Sequence, residues 1–347
     1  MEARKPLILL AENSLITQPM KANIEFLNLI DRIQAGYTMT QAECEYLLSF
    51  DERSLEAGIT RSVADHMARQ KFNNKGLVFG QIGVEIAPCP GRCKFCSFSE
   101  DFTSFQPFSM DDEALYAAAD NFTASGELFA LALMVMHHTP FERTLDVIRK
   151  VRERIPANTQ IVANLGDFGR TQAEELKAAG ANGAYHVWRL GEGCDTQFPA
   201  SQRLNTIENI KAAGLDLYYC CEPIGPEHTP QQMAEIIMKG LDYECFQHGA
   251  MRRVPLAASP LGKYGQISES RLAQITAVVT LVALHSPEIT TVGVHEPNKL
   301  GLMSGANAIY AETGANPRDT EKETLGNRGL DIEACKRMYI ECGFDIA

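Results

Sequence analysis

The chain has little that would take it to a membrane or to nucleic acid. It contains no apolar run near the ~20 residues that a bilayer-spanning helix needs. The early run "PLILLA" is short and no small-residue cleavage site follows it, so no secretory signal is expected. Positive charge is scarce: 32 Lys and Arg stand against 44 Asp and Glu, a formal net charge of −12. That balance argues against nucleic acid or an anionic membrane as the main partner. Internal repeats and low-complexity tracts are absent. Ten cysteines without an export signal point to reduced thiols and metal ligands rather than a disulfide framework, and hence to a cytoplasmic protein.

What is present is ordinary in bulk: 347 residues, 45% hydrophobic and 22% charged. This length suits two domains, or one α/β barrel with an added segment. The spacing predicts an N-terminal helical segment, 1–75, with helix over about residues 12 to 72. Within it Ile24, Leu27, Ile30 and Ile33 fall on one face, and Thr40 with Glu43 forms a capping box. From residue 76 short apolar runs alternate with amphipathic helices. The strand candidates are "GLVFGQIGVEIA", "ELFALALMVM", "TQIVANL", "GAYHVWRL", "DLYYCCEPI", "MRRVPLA", "ITTVGV" and "ANAIYAE". Helix caps are read at Thr171 with Glu174 and at Thr229-Pro230 with Gln232. Eight strands between 76 and 312 predict a (β/α)8 TIM-type barrel, with an open parallel sheet as runner-up and the eighth strand as the weakest element. The remainder, 313–347, is a polar, turn-rich tail leading to one helix, "DIEACKRMYIECG", on which Cys335 and Cys342 share a face.

Directly after the first strand comes "APCPGRCKFCSF", in which Cys89, Cys93 and Cys96 are spaced Cys-x3-Cys-x2-Cys. In a barrel this places three thiols at the C-terminal mouth, where active sites of the fold are built. Thiolates select zinc or iron–sulfur clusters. Zinc needs a fourth ligand, for which His66 and Cys44 are the candidates. A [4Fe–4S] cluster held by three cysteines leaves one iron open to something other than protein.

With Phe95 before the last cysteine, the motif resembles the signature of the radical S-adenosylmethionine (SAM) superfamily. That resemblance implies a [4Fe–4S] cluster on Cys89, Cys93 and Cys96, with SAM on the fourth iron. It further implies reductive cleavage of SAM and abstraction of hydrogen from substrate by the 5′-deoxyadenosyl radical. A reductant such as flavodoxin or ferredoxin is implied too. The likeness extends over most of residues 76 to 320 and looks closest to the biotin synthase subgroup, which includes the [FeFe]-hydrogenase maturase and methylornithine synthase. In "YHVWRLGEGCDT", Arg189 and Glu192 resemble an Arg-x-Glu pair that holds SAM, with one residue more between them. "EPIGPEHT" resembles the adenine-contact stretch, with Ile224 and Gly225 in place and Cys221 where its first glycine belongs. The Gly-Gly-Glu of the wider superfamily is replaced by "MVMHHTP", where His137 or His138 takes up the hydrogen bonding. "SGANAIYAETGANPRDT" resembles the last strand and following loop of biotin synthase.

Biotin synthase takes its sulfur from a second cluster held by cysteines on the second, third and fifth strands and an arginine on the sixth. Here the second and third strands carry no cysteine, while the fifth has Cys220 and Cys221 and the sixth Arg252 and Arg253. Another cluster would have to draw on Cys194, Cys220, Cys221 and Cys245. Alternation points Cys220 and Cys221 to opposite sides, and Cys245 is expected on a helix. At the mouth, Asn164, Asp167, Glu222, Arg253, His295, Glu296 and Glu312 form a strongly polar set. Buried charges need partners, so a small polar substrate bearing carboxylate or amino groups is expected, with Asn164, Arg253, His295, Glu296 and Glu312 as its binding candidates. No catalytic side chain is assigned beyond the cluster ligands. The reading is therefore a radical SAM enzyme of cofactor- or vitamin-type biosynthesis. Its rivals are a sulfur-inserting biotin synthase-like enzyme with an unusual auxiliary cluster, and a non-catalytic iron–sulfur or zinc-binding scaffold.

Overall fold

The computed structural model describes residues 21–86, 88–312 and 329–347. Three helices come first: Ile24–Gln34, Gln41–Ser49 and Leu55–Lys71. The capping box at Thr40 is present, with the Thr40 N–H donating to Glu43 Oε2 at 2.9 Å and the Glu43 N–H to Thr40 Oγ1 at 3.3 Å. The buried face of the first helix is Phe26, Leu29, Ile30 and Ile33. Ile24 is 71% exposed and Leu27 half-buried, so the expected stripe is rotated. Phe26 anchors the rotation by packing edge-on against Phe50, ring centroids 5.5 Å apart.

The second and third helices pack against Pro230–Asp242 and Glu269–Ala283 of the outer ring. Covered from both sides, Glu269–Ala283 is buried at every residue from Leu272 to Ala283, as a helix without a solvent face must be. Its polar side chains satisfy the carbonyls left over where the second helix ends. Arg271 donates to Leu48 O at 2.8 Å and Gln274 to Phe50 O at 2.8 Å.

Eight parallel strands close into a barrel. They are Lys75–Gly83, Leu128–Met134, Gln160–Asn164, Gly183–Tyr185, the broken pair Asp216–Tyr218 and Cys221–Ile224, then Gln247–Arg252, Thr291–His295 and Ala308–Ala311. The weakest expected strand completes the ring: Ala308 pairs with Gly293 on one side and Leu77 on the other. A closed ring replaces the open-sheet alternative.

The sixth strand lies at Gln247–Arg252, four residues before "MRRVPLA". Its polar start reads as a loop, yet both residues are satisfied inside. The Gln247 amide donates to Tyr310 Oη at 3.1 Å, and the His248 Nε2 lies 3.0 Å from Ile237 O. The helix expected to start at Thr171 runs Arg170–Ala179 with Gly169 as N-cap, Gln172 accepting from the Gly169 N–H at 2.9 Å, while Glu174 pairs with Arg170 at 2.7 Å. The box at Thr229, Pro230 and Gln232 is as expected.

The polar tail 313–328 lies outside the described residues. Beyond it, helix Ile332–Glu341 covers the barrel floor, where Tyr339 donates to Leu77 O at 2.6 Å. Its ring lies so close to Gly76 that a Cβ there would stand 2.5 Å from it. Cys335 and Cys342 are both buried, and strand Asp345–Ile346 pairs with Lys75–Gly76. Above the floor, Phe79, Phe129, Tyr218, Phe246 and Tyr310 form an aromatic plug, so the barrel is open only at its C-terminal end.

Candidate active site

The triad loop leaves the first strand at the open end and folds back on itself. The Cys89 N–H donates to Phe98 O at 2.6 Å and the Cys96 N–H to Cys93 O at 3.1 Å. Two other loops hold it. The Lys94 ammonium donates to Asp195 Oδ1 and Cys194 O, both at 2.9 Å, and Ser259 Oγ donates to Lys94 O. Gly91 lies against Phe198, where a Cβ would meet the ring at 2.8 Å. Phe198 in turn stacks on His137 at 4.3 Å.

Cys89, Cys93 and Cys96 line a chamber of about 280 Å³ that runs down to the aromatic plug. Phe95, His137 and Arg189, expected around the cofactor, line it as well. So do Asn164, Arg253 and His295 of the substrate set. Glu192, Glu296 and Glu312 stand behind these residues as carboxylate supports. Glu192 lies 3.8 Å from Arg189 and 3.6 Å from Arg203, Glu296 lies 3.4 Å from Arg252, and Glu312 lies 3.3 Å from His295 Nε2. Ile224 is buried outside the chamber wall, its carbonyl accepting from the Arg253 N–H at 2.8 Å. His138 does not share the role of His137; it is exposed, because the strand has ended and the chain turns outward there.

Asp167 belongs to an internal network rather than to the chamber wall. His186 lies 3.1 Å away, Arg203 and Thr206 donate to it at 3.2 Å, and His137 lies at 3.4 Å. Burial alone would raise this carboxyl; His137, His186 and Arg203 together hold it well below the usual carboxylate range. The network places Arg203 beside Arg189, facing Cys93. Burial pushes the Cys93 thiol up to about 12, and the two guanidiniums oppose that rise. Arg203 was not foreseen from the sequence. One signal was available: a cation in the first turn of helix Ala200–Ala212 opposes the helix dipole, so it must be held there by something else. Tyr185 was missed too. Its hydroxyl donates to Glu222 Oε2, while the Arg189 Nε donates to Glu222 Oε1 at 3.1 Å.

Burial pushes His186 down to about 4 against the pull of Asp167, and His248 likewise to about 4. The unfolded chain protonates such rings near pH ~6.5, well before the folded state does. Stability from them is therefore complete above that pH and is lost as pH falls toward 4, by up to about 3 kcal/mol per ring. Unfolding midpoints measured in steps from about pH 8 to about pH 4 should fall through this window. A flat profile would mean that neither ring is neutral in the folded protein.

The other thiols do not assemble. Cys194 is exposed, Cys220 lines the chamber, and Cys221 is buried on the opposite side of the strand. Cys245 lies in the turn after helix Pro230–Asp242 rather than on a helix. Cys44 is buried beneath the second helix, and His66 lies 3.1 Å from the Gln70 amide on the third. Among the described residues no three or more His, Cys, Asp or Glu side chains converge to hold a single metal ion.

No protein-family model matches the chain. It is 25% identical to biotin synthase of Carboxydothermus hydrogenoformans over 288 residues, 76% of this chain and 86% of that one. To biotin synthase of a Nocardioides species it is 25% identical over 339 residues, 92% of this chain and 85% of that one. The fold is similar to crystal structures of methylornithine synthase (TM-score 0.76, 16% identity, 92% of this chain and 97% of the other). It is similar too to the FeFe-hydrogenase maturase HydG from C. hydrogenoformans (TM-score 0.69, 17% identity, 90% and 81%). The chain is similar to biotin synthase-like radical SAM enzymes.

That likeness implies a [4Fe–4S] cluster and SAM, and the residues of this chain fit both. Three thiols line the chamber. Beside them the Nη1 of Arg189 is buried and lacks a hydrogen-bond acceptor. Such an orphaned donor in a dry site is unfavourable unless a ligand completes it. The residues of the second and third strands that line the chamber are Ala132, Met134, Val162 and Asn164. Neither strand offers a cysteine to a second cluster.

Proposed function

We propose that this enzyme cleaves SAM reductively at a [4Fe–4S] cluster on Cys89, Cys93 and Cys96 and abstracts hydrogen from a small polar metabolite. The observation that carries this reading is Arg189, with a buried, unsatisfied Nη1, set beside three thiols at the mouth of a closed barrel. When bound, cluster and cofactor supply a 5′-deoxyadenosyl radical. The chain's part is to bind, orient and exclude water. Arg189 suits the SAM carboxylate, and Glu192 fixes the arginine's position. Phe95 and His137 complete the cofactor side.

On the substrate side, Arg253 is held by Glu227 and its Nε has no acceptor; His295 Nδ1 also lacks a partner. Together with Asn164, and with Glu296 and Glu312 as supports, they favour a substrate with an anionic group, in cofactor- or vitamin-type biosynthesis. A flavodoxin or ferredoxin would deliver the electron in the cytoplasm.

Anaerobically reconstituted protein, given SAM and dithionite, should release 5′-deoxyadenosine and contain about four irons per chain. Release of none would refute the cleavage reading. A distinctly higher iron content would mean that a second cluster forms after all.

A further inference from the structure

The fifth strand breaks between Tyr218 and Cys221, and the break sets Cys220 and Cys221 on opposite sides. Cys221 is buried outside the barrel. Cys220 turns inward and lines the chamber that holds the cysteine triad. Its sulfur lies 3.7 Å from Cys221 O, and Tyr185 lines the same chamber. Tyr185 donates to Glu222, which is held on its other oxygen by Arg189. A polar chain thus runs beside the thiol, from Tyr185 through Glu222 to the proposed cofactor-binding arginine.

The thiol faces space built for a ligand rather than packed core. Arg253, with a side chain only 2% exposed and an Nε that has no acceptor, lines the same chamber. Burial, with Glu222 close by, keeps the Cys220 thiol well above its ordinary value, so it carries its proton at neutral pH. A metal role is not available to it, since no companion cysteine faces the chamber from the second or third strand. A neutral S–H bond is weaker than an alkyl C–H bond. It therefore gives its hydrogen atom readily to a carbon-centred radical at van der Waals distance.

Resting on the cleavage reading above, we propose that Cys220 is a catalytic residue that donates a hydrogen atom to carbon-centred radicals in this chamber. The S–H bond breaks homolytically, a C–H bond forms on the radical carbon, and a thiyl radical remains on Cys220. The thiyl takes one electron from the low-potential one-electron reductant. It takes one proton from the Tyr185 hydroxyl, which is refilled from solvent by way of Glu222. Thiol and phenol are then both restored, and each such transfer consumes one electron and one proton beyond those used in cleavage.

The test needs no knowledge of the substrate, because the 5′-deoxyadenosyl radical itself is a carbon radical in the chamber. Cluster-loaded full-length protein is equilibrated in D2O, so that the thiol carries deuterium. It is then given SAM and dithionite with no substrate, and the 5′-deoxyadenosine is read by mass spectrometry. The wild type should place a solvent deuterium in the product. The product of Cys220→Ser should fall to natural abundance, because serine keeps the size and hydrogen bonding but not the weak bond to hydrogen. Cys194→Ser, which alters an exposed thiol, should keep the label. Iron content and SAM binding retained in C220S show that the variant is folded and loaded. Product formed by the wild type without deuterium, or label persisting undiminished in C220S, overturns the role of Cys220. Failure of the wild type to form any 5′-deoxyadenosine instead refutes the cleavage reading, and this proposal with it.

Discussion

Cys93→Ala should lose its iron, its charge-transfer absorbance and its SAM cleavage together. Cys93 is the central residue of the triad and the one that faces both Arg189 and Arg203. Two thiolates cannot hold three corners of an iron cube. Bound iron should fall from about four per chain to a small residue. The loss should be confined to the metal. The Cys93 sulfur makes only a long contact, 3.7 Å to Gly91 O, and the loop is pinned by Lys94, Asp195 and Ser259. The far-ultraviolet circular dichroism and the melting of metal-free protein should therefore match the wild type. SAM cleavage surviving in this variant would take the triad out of the reaction.

Arg189→Gln should weaken SAM binding and destabilise the fold at once. In the folded chain Arg189 neutralises Glu222 at 3.1 Å and faces Glu192 at 3.8 Å, both buried carboxylates. Truncating one member of a buried charged pair typically costs about 2–5 kcal/mol in binding, or roughly 30- to several-thousandfold in Kd. Glu222, left without its cation, should lower stability by about 3–5 kcal/mol, seen as a fall in the urea midpoint at unchanged slope, while Glu192 keeps Arg203 at 3.6 Å. Arg189→Lys keeps the charge but not the planar fork that spans Glu222 and a cofactor carboxylate, so it should recover more of the stability than of the affinity. Anaerobic equilibrium dialysis of cluster-loaded protein measures the first effect and denaturant titration the second. Unaltered SAM affinity in folded R189Q would assign Arg189 to the ion-pair network alone.

The two experiments differ in how much of their basis could be read before folding. The triad was legible because its ligands lie within eight residues of one another, and a cluster-binding loop is a local device. The barrel was legible because alternating strand and helix periods are also local. Arg189 was found by its likeness to a motif, but its partner Glu222 lies 33 residues away and was recognised only as one of several charges at a strand end. Arg203 was not found at all, since what positions it, Asp167 and Glu192, approaches only when the helix after the fourth strand docks over the mouth. The sixth strand was placed late because a polar start looks like a loop until Tyr310, 63 residues on, satisfies Gln247.

The amino-acid order by itself determined the class of chemistry, the eight-fold repetition of strand and helix, and the absence of cysteine from the second and third strands. Each of these depends on spacing over a few residues. Only the tertiary structure decided which polar groups face the chamber, which carboxylates stand behind their cations, and that Cys220 alone of its pair looks inward. Those choices depend on ring closure, a strand break and the docking of an outer helix, through contacts between residues tens of positions apart that local sequence patterns do not encode.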